Sequence, residues 1–386
     1  MPKKQIMSTT ADDHLAPMTI SRRDFLRTGC LAIAGCAVTR PTYRFDAVVS
    51  LAAHDAAAGT PVFSSLGAAL AAAPMTSARP WRIRITAGRW HEKTVIDKPS
   101  IHLIGDDRRA SILSFDAAAG QHRPDGEAWG TAGCASLIVS APDFAASNLT
   151  IENTFDYVGE ITRPVPTLPP VGGNGAQGVA LMLTGNADRS RIDQVDIHGH
   201  QDTLCVDAGR SRFSDCTISG SVDFIFGAGQ CLIERCVALS RFRPGKERQG
   251  YVVAPSTSRD KEFGIVLRDC RLTREPQVPA SSVALGRPWR HARKFTDGNY
   301  GDPDISSQAA FIDCWMDGHI DAHGWDEMRY PSRDGTRVAY DPLDARLFEY
   351  GSRGPGARAS SARRVLSADQ ARRYTAANIL AGWNGF

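Results

Sequence analysis

The sequence has little net charge, no closely paired cysteines and no long hydrophobic run. Its 386 residues include 45 Lys and Arg against 42 Asp and Glu, and residues 1–36 hold five of the basic and three of the acidic ones. The remaining body, with 40 basic and 39 acidic residues, is near neutral, which argues against a nucleic-acid partner. None of the nine cysteines belongs to a Cys-x-x-Cys pair, which argues against a zinc ribbon or a thioredoxin-like centre.

The apolar run near the N-terminus, TGCLAIAGC (28–36), is too short to span a bilayer. It follows SRRDFL (21–26), a twin-arginine sequence, so we expect residues 1–36 to be an export signal and the protein to reach the periplasm, the outer membrane or the exterior. The run ends in IAGC (33–36), which resembles the lipobox of bacterial lipoproteins. Cys36 is therefore a candidate for lipidation and the expected means of membrane anchorage, with an ordinary cleaved leader as the alternative.

A short strand pattern recurs through the middle of the chain: an apolar residue, two or three polar positions, then Val, Leu or Cys, followed at +2 by another apolar residue. The alternation of period two predicts strands. Successive central strands are 21 and 20 residues apart, with Gly, Asn and Asp turns between them, which predicts a parallel β-helix of stacked coils. The repeated lines are FAASNLTI (Leu149), RIDQVDI (Val195), RFSDCTI (Cys216), LIERCVAL (Cys236), IVLRDCRL (Cys270) and AFIDCWM (Cys314).

Helical pattern is scarce and occurs near the two ends. VFSSLGAALAAAP (62–74) and SADQARRYTAANIL (367–380) predict short helices that cap the stack and cover edges open to pairing. A two-sheet β-sandwich is the rival fold, but it requires hairpin turns roughly every 8 to 12 residues, and such turns are scarce. We therefore expect an all-β chain in which residues 37–54 are a linker and residues 55–386 form one β-helix domain with helical caps.

Stacking also places cysteines of successive coils side by side. Equivalent positions lie about 4.8 Å apart, within the Cα separation that a disulfide needs. Cys216 and Cys236 are therefore a candidate disulfide. The alternative is a buried stack of thiols, which Cys270 and Cys314 would join.

Two aspartates lie at the same sequence distance after equivalent positions of two successive central strands. Asp202 in GHQDTL comes seven residues after Val195, and Asp223 in GSVDFIFG comes seven residues after Cys216. Stacking should bring their carboxyl groups roughly 5 Å apart on one outer face. Two carboxylates so close do not both ionise cheaply, and a neutral acid beside an anion suits paired general-acid and nucleophile chemistry. The same separation suits a retaining glycosidase, and a lone turn aspartate commonly bonds its own backbone.

Three motifs in this order, GHQDTL, GSVDFIFG and LGRPW (285–289), closely resemble those of pectin methylesterases, the carbohydrate esterases that demethylate pectin. The likeness extends over about residues 55–384 and includes AGRWHE (87–92), WGTAG (129–133) and GAQGVALMLTGNADR (175–189). The resemblance implies a right-handed parallel β-helix that releases methanol from methylated homogalacturonan. We expect a monomer that needs no cofactor and no metal.

Carried over to the matching positions, the resemblance implies a role for each residue. Asp223 would attack the methyl-ester carbonyl, and Asp202 would act as general acid and then as general base. Gln201 and Gln177 would donate hydrogen bonds to the developing oxyanion, while Arg287 would hold Asp223 ionised. The substrate cleft would include Trp289, as a flat face for a sugar ring, and Thr131, Val222, Phe226 and Met328.

Two positions beside this centre depart from the family. His200 stands where the family usually has an aromatic ring, and Cys205 stands where it usually has Tyr, so the subsites for long homogalacturonan are expected to differ. His198, His200 and Asp202 also spell H-x-H-x-D, a pattern that several metal-dependent hydrolases use. No second cluster of His or Asp ligands accompanies it in the sequence, so we do not expect a metal site.

Three other functions are the alternatives to a pectin methylesterase. A glycoside hydrolase or lyase on a β-helix would cleave pectin and create new chain ends, whereas an esterase leaves the chain length unchanged. A non-catalytic carbohydrate-binding β-helix would lack one of Asp202, Asp223 or Arg287, and all three are present. Hydrolysis of a different acyl group is the third alternative, which the change at Cys205 keeps open.

Overall fold

The computed structural model describes residues 44–52, 57, 59–169 and 175–383. The predicted export signal and Cys36 lie outside these residues. Three parallel sheets, which we call A, B and C, line up along one axis, and the chain passes through them in turn in each coil. This arrangement is the parallel β-helix that the repeat predicted. No helix in the described ranges is both long and apolar enough to cross a membrane.

Within each sheet the strands pair in a fixed order from one end of the stack to the other. Sheet A consists of Val62–Phe63, Ala47–Val49, Trp81–Ile85, Ile101–Gly105, Ala145–Ser147, Ser190–Asp193, Arg210–Ser214, Gln230–Glu234, Ile265–Arg268, Gln308–Ile312 and Arg346–Tyr350. Sheet B consists of Gly88–His91, Ser111–Phe115, Thr150–Asn153, Asp196–His198, Thr217–Gly220, Val237–Ser240, Arg271–Arg274 and Trp315–Met316. Sheet C consists of Thr94–Ile96, Leu137–Val139, Leu181–Leu183, Leu204–Val206, Ile225–Gly227, Gly250–Pro255 and Val283–Gly286.

Shorter elements lie outside these three sheets. Two antiparallel hairpins, which the sequence pattern did not predict, pair Ala292–Phe295 with Gly298–Gly301 and Met328–Pro331 with Arg337–Tyr340. The helical segments are Leu66–Ala72, Gly130–Gly133, Tyr157–Thr162, Ala368–Ala371, Ala376–Ile379 and a 3-10 turn at Pro342–Asp344.

A single residue turns the chain from sheet A into sheet B. In six coils this residue has a φ between +50° and +56°, in the left-handed region that Asn and Asp enter more readily than most residues. The residue that follows points into the core and is buried in every case. These six buried residues are the ones that the sequence repeat singled out: Leu149, Val195, Cys216, Cys236, Cys270 and Cys314.

The predicted disulfide between Cys216 and Cys236 is wrong, because both residues are free thiols in the structure. The Cys216 N–H donates to Cys236 Sγ at 3.3 Å, and each thiol also donates to the carbonyl two residues earlier. Thiol contacts continue through Cys270 to Cys314, so the four residues form a column inside the coils. Burial raises the pKa of the first three thiols well above the usual thiol range, which disfavours the reactive thiolate.

The domain boundaries and the caps differ from the expectation in detail. The strand Ala47–Val49 pairs with Trp81–Ile85, so the β-helix begins inside the predicted linker and not at residue 55. The helix Leu66–Ala72 buries Leu66 and Leu70 near the N-terminal end. The C-terminal helical segments pack instead on the outer face of sheet A, where Ile379 joins an apolar cluster, because the outer side of that sheet is itself apolar there.

We predict that a chain with Cys30 and Cys36 changed to Ser, purified without reductant, holds seven free thiols. Because all seven are buried, the aromatic disulfide reagent DTNB should react with them slowly in the native protein and fully in guanidinium. The measurement is the thiol count at the absorbance plateau. A count lower by two, restored by reductant, would instead show a Cys216–Cys236 bond.

Candidate active site

The register of sheet C places the two aspartates at equivalent positions of consecutive coils. Leu204 pairs with Ile225, and each aspartate lies two residues before its strand. The Asp202 N–H donates to the carbonyl of Val222, the residue before Asp223, at 3.0 Å. The backbone positions of the two aspartates are therefore adjacent, as the repeat predicted.

Both aspartates occupy the turn that leads into sheet C. Their φ angles are +62° for Asp202 and +49° for Asp223, and both side chains are mostly buried. A residue held in this left-handed region costs of order 1–3 kcal/mol, and aspartate is among the residues that accept it most readily. The two equivalent turns thus hold Asp202 and Asp223 at the point where the chain enters sheet C.

Arg287 holds the Asp223 carboxylate through two parallel hydrogen bonds. Its Nε donates to Oδ1 at 2.9 Å and its Nη2 donates to Oδ2 at 2.6 Å. The guanidinium also lies 4.0 Å from the ring centre of Tyr251, which occupies the position of Asp223 one coil further on. Burial alone would lower the pKa of Arg287, but the Asp223 carboxylate outweighs it and raises that pKa. The pair is a charge-assisted clamp that orients Asp223.

Asp202 lies in the opposite electrostatic setting. Burial raises its pKa well above the ordinary value of 3.8, and the neighbouring Asp223 charge raises it further, while Arg287 opposes the shift. Asp202 therefore holds its proton at a pH where an exposed carboxyl has lost it. The site pairs a neutral carboxylic acid with a carboxylate that an arginine clamps.

The two glutamines lie on neighbouring coils beside Asp202. Gln201 directly precedes Asp202, and its carbonyl accepts from the N–H of Gly178 at 3.0 Å. Gly178 directly follows Gln177, so backbone pairing brings the two glutamine positions together. The buried side chain of Gln177 is held by the N–H of Gly175, which donates to Oε1 at 2.8 Å.

An apolar surface covers the outer face of sheet C next to these groups. Met182, Cys205 and Phe226 stack one above another in consecutive strands. Trp289 and Met328 pack against the same cluster, and the rings of Phe226 and Trp289 are 5.9 Å apart at 60°. The structure thus brings together three predicted cleft residues, Phe226, Trp289 and Met328, with the small Cys205 side chain between Met182 and Phe226.

Two further predicted cleft residues lie at the edges of this surface. Thr131 belongs to the short helix Gly130–Gly133, and the adjoining Trp129 packs against the apolar cluster. Val222 is buried, and its carbonyl accepts the hydrogen bond from Asp202. Val222 therefore contributes to the site through its backbone.

The two histidines of the H-x-H-x-D pattern have separate partners. His198 Nδ1 lies 2.8 Å from Ser219 Oγ, whereas the His200 ring stacks on Tyr157 at 4.9 Å and 14°. Burial lowers the pKa of His200 to about 3, so its ring is neutral. Across the residues that the structure describes, no group of three or more His, Cys, Asp or Glu could hold a metal ion.

Sequence reasoning missed Tyr157 and Tyr251, which contact His200 and Arg287. Tyr157 begins the short helix Tyr157–Thr162, in a segment inserted after the strand Thr150–Asn153 and outside the repeat. Tyr251 is hidden because the loop before it lengthens its coil, so that it follows Asp223 by 28 residues and not by about 20. Only the pairing of Val253 with Ile225 reveals the equivalence.

Known proteins resemble this chain over most of its length. A family model described as pectinesterase matches residues 52–383. Pectinesterase A of Dickeya dadantii is 39% identical over 343 residues, which cover 88% of this chain and 91% of the relative. The pectin methylesterase PemA from Erwinia chrysanthemi superposes with a TM-score of 0.83 at 39% identity, covering 89% of this chain and 99% of that one. A pectin methylesterase in complex with a hexasaccharide gives a TM-score of 0.84 at 38% identity, with the same coverage.

We predict that Asp202→Asn stabilises the protein by a margin that grows with pH. Because the folded state raises the Asp202 pKa, its contribution to stability is fully present below the unfolded pKa and is lost as pH rises toward the folded pKa. Each tenfold difference in proton affinity corresponds to about 1.4 kcal/mol. Thermal unfolding between pH 3 and pH 8 should show equal melting temperatures at the acid end and a higher one for the variant near neutrality.

The matched control is Asp207→Asn, an exposed aspartate in the same coil. It should leave the melting temperature close to that of the unaltered protein across this range. If the melting temperature of Asp202→Asn exceeds that of the unaltered protein by an amount that stays constant or shrinks as pH rises, the assignment of Asp202 as the protonated partner is contradicted.

Proposed function

The chain belongs to the pectinesterase family, and we propose that it hydrolyses the methyl esters of pectin with Asp223 as nucleophile and Asp202 as general acid and base. One observation carries this proposal. The two carboxyl groups occupy equivalent positions on consecutive coils, yet an arginine clamps only one of them while burial and charge raise the pKa of the other.

The first half-reaction forms an acyl-enzyme. A carboxylate oxygen of Asp223 attacks the methyl-ester carbonyl, and the tetrahedral intermediate carries the negative charge on the former carbonyl oxygen. When that intermediate collapses, the bond to the methoxy oxygen breaks and Asp202 gives its proton to the departing methanol. The product is an anhydride between Asp223 and the galacturonate carboxyl, and Asp202 is left as a carboxylate.

The second half-reaction returns both residues to their starting state. Asp202 accepts a proton from a water molecule that attacks the galacturonate carbonyl of the anhydride. Asp223 leaves as a carboxylate, and Arg287 stabilises it through the same two hydrogen bonds. Each cycle therefore consumes one water and releases one methanol and one galacturonate carboxyl, with no change in polysaccharide length.

Gln201 and Gln177 supply the hydrogen bonds for the oxyanion in this scheme. The Gln177 side chain is held by the Gly175 N–H, and the Gln201 backbone is fixed by the hydrogen bond from Gly178. Donors positioned before the reaction are worth several kcal/mol in a transition state. Trp289, with Phe226 and Met328, provides the apolar face on which a sugar ring and its methyl ester pack. We further propose that the protein acts as a monomer on methylated homogalacturonan.

We predict that the protein releases methanol from methylated pectin and that Asp223→Asn reduces this release by at least a thousandfold. The variant keeps the shape of the side chain but removes the anionic nucleophile. The assay measures methanol and, in parallel, reducing ends and unsaturated ends on the same sample. A glycoside hydrolase or lyase would increase chain ends and release no methanol.

A second aspartate serves as the control for this experiment. Asp193→Asn changes a partly buried aspartate of sheet A in the coil that contains Asp202, away from the turn, and should leave the methanol rate within twofold. Unchanged activity of Asp223→Asn would reject the nucleophile. The absence of both methanol and new chain ends with the unaltered protein would favour a binding module.

We also propose that the twin-arginine segment exports the protein and that Cys36 receives a lipid. A double change, Arg22→Lys with Arg23→Lys, is predicted to leave the protein in the cytoplasm of a bacterium that has the twin-arginine route, because that route reads the arginine pair. Arg27→Lys is the matched control and should be exported. Cell fractionation checks the outcome, and Cys36→Ser should move exported protein from the membrane to the soluble fraction. Export of the double variant would contradict the proposal.

A further inference from the structure

His291 lies beside Trp289, two residues after it in the chain. Its ring meets the indole of Trp289 edge to face, with centres 5.7 Å apart at 62°, and Phe226 contacts the same indole at 5.9 Å and 60°. Trp289 therefore contacts two rings, one from sheet C and one from the base of the hairpin Ala292–Phe295/Gly298–Gly301. The His291 side chain remains one third exposed at the surface.

Both ring nitrogens of His291 face polar partners from different parts of the fold. Nδ1 lies 2.8 Å from Ser256 Oγ, and Ser256 directly follows the sheet C strand Gly250–Pro255. Nε2 lies 4.0 Å from Oδ2 of Asp302, which directly follows the hairpin. The Asp302 N–H also donates to the His291 carbonyl at 2.9 Å. The imidazole thus joins sheet C to the base of the hairpin.

Asp302 is a firmly held anion in this array. Burial would raise its pKa, but the N–H of Asp304 at 3.0 Å, the guanidinium of Arg293 at 3.3 Å and the nearby His291 together lower it. The Asp302 residue is 5% exposed, so its carboxylate faces the imidazole from a buried position. A hydrogen-bonded hydroxyl on Nδ1 and a buried anion 4.0 Å from Nε2 therefore face the two nitrogens of the His291 ring.

Serine, histidine and aspartate in a row are the components of a nucleophilic triad, but this array has a different role. Ser256 is completely buried, and its N–H is bonded to the carbonyl of Gly227 inside sheet C. No ester can reach its Oγ from the cleft. The exposed end of the array is the imidazole, and its neighbour there is the indole of Trp289.

We propose that His291 is a positioning residue that, through Ser256 and Asp302, holds the Trp289 indole in the orientation that receives a sugar ring. The inference rests on the proposed function, because it presupposes a polysaccharide substrate. Asp202, Asp223 and Arg287 have no contact with this array among the hydrogen bonds and ion pairs of the described residues. Loss of His291 therefore weakens substrate binding and leaves the chemical step intact.

The test is a double-mutant cycle on the full chain, with methanol release from methylated pectin as the readout. His291→Ala is expected to raise KM about threefold to tenfold and to keep kcat within twofold. Trp289→Ala is expected to raise KM at least as much. If His291 acts through Trp289, adding His291→Ala to Trp289→Ala changes KM no further. A merely structural role would lower the melting temperature and add its effect in both backgrounds.

Two more variants identify which contact matters. Ser256→Ala removes the buried anchor and is expected to raise KM in the same direction as His291→Ala, again only when Trp289 is present. His291→Asn retains a group that can reach Ser256 but has no ring, and it should also raise KM. It replaces His291→Ala if that variant fails to fold.

For the same set of variants, calorimetry measures the Kd for demethylated polygalacturonate. This second measurement requires no catalysis. If the unaltered protein binds polygalacturonate but releases no methanol, the proposed function fails while the cycle in Kd still decides the role of His291. The inference is overturned if His291→Ala changes KM and Kd equally with and without Trp289. It is also overturned if His291→Ala changes neither constant or lowers kcat. The absence of polygalacturonate binding by the unaltered protein would overturn it as well.

Discussion

The parallel hydrogen-bonded register between successive coils is the constraint on which the site depends. It fixes Leu204 against Ile225 and thereby brings Asp202 and Asp223, 21 residues apart in the chain, to neighbouring turns. A slip of one residue would reverse the inward and outward side chains of a strand, and the core thiol column at Cys216 and Cys236 resists such a slip. The buried interior therefore specifies the geometry of the outer face.

Once the carboxyl groups are adjacent, their surroundings make them unequal. Asp223 accepts two hydrogen bonds from Arg287, which lies two coils further along. Asp202 is buried, with Asp223 as its charged neighbour. Like charges side by side favour one proton shared unequally between them. The two aspartates lie in equivalent turns and are thus distinguished by which carboxyl group the guanidinium reaches.

Several residues near the two aspartates come from segments that interrupt the repeat. Met328 lies in the second hairpin, and the first hairpin begins shortly after Trp289. The inserted segment places Tyr157 against the ring of His200. His200 occupies a position where the family usually has an aromatic ring, and the structure uses its neutral imidazole as a stacking surface. Departures at His200 and Cys205 thus alter the surroundings of Asp202, Asp223 and Arg287, while these three residues match the family's motifs.

The period of the strands, the pairing of Asp202 with Asp223 and the core position of Cys216 and its equivalents could be determined from the sequence alone. Each is a local pattern repeated at nearly constant spacing, and stacking converts constant spacing into contact. The resemblance to pectin methylesterases added Arg287, Gln177 and the cleft residues, which no periodicity links to the aspartates.

Only the tertiary structure decided the rest. It showed that the Cys216 and Cys236 thiols donate to backbone carbonyls and are not joined to each other. It also showed that Tyr251 is the equivalent of Asp223 across a lengthened coil, and that Ser256 and Asp302 face the two nitrogens of His291. These contacts depend on loop lengths and side-chain directions that a strand pattern does not encode. The sequence determined which residues occur once per coil, and three-dimensional packing decided which groups from different coils and loops touch.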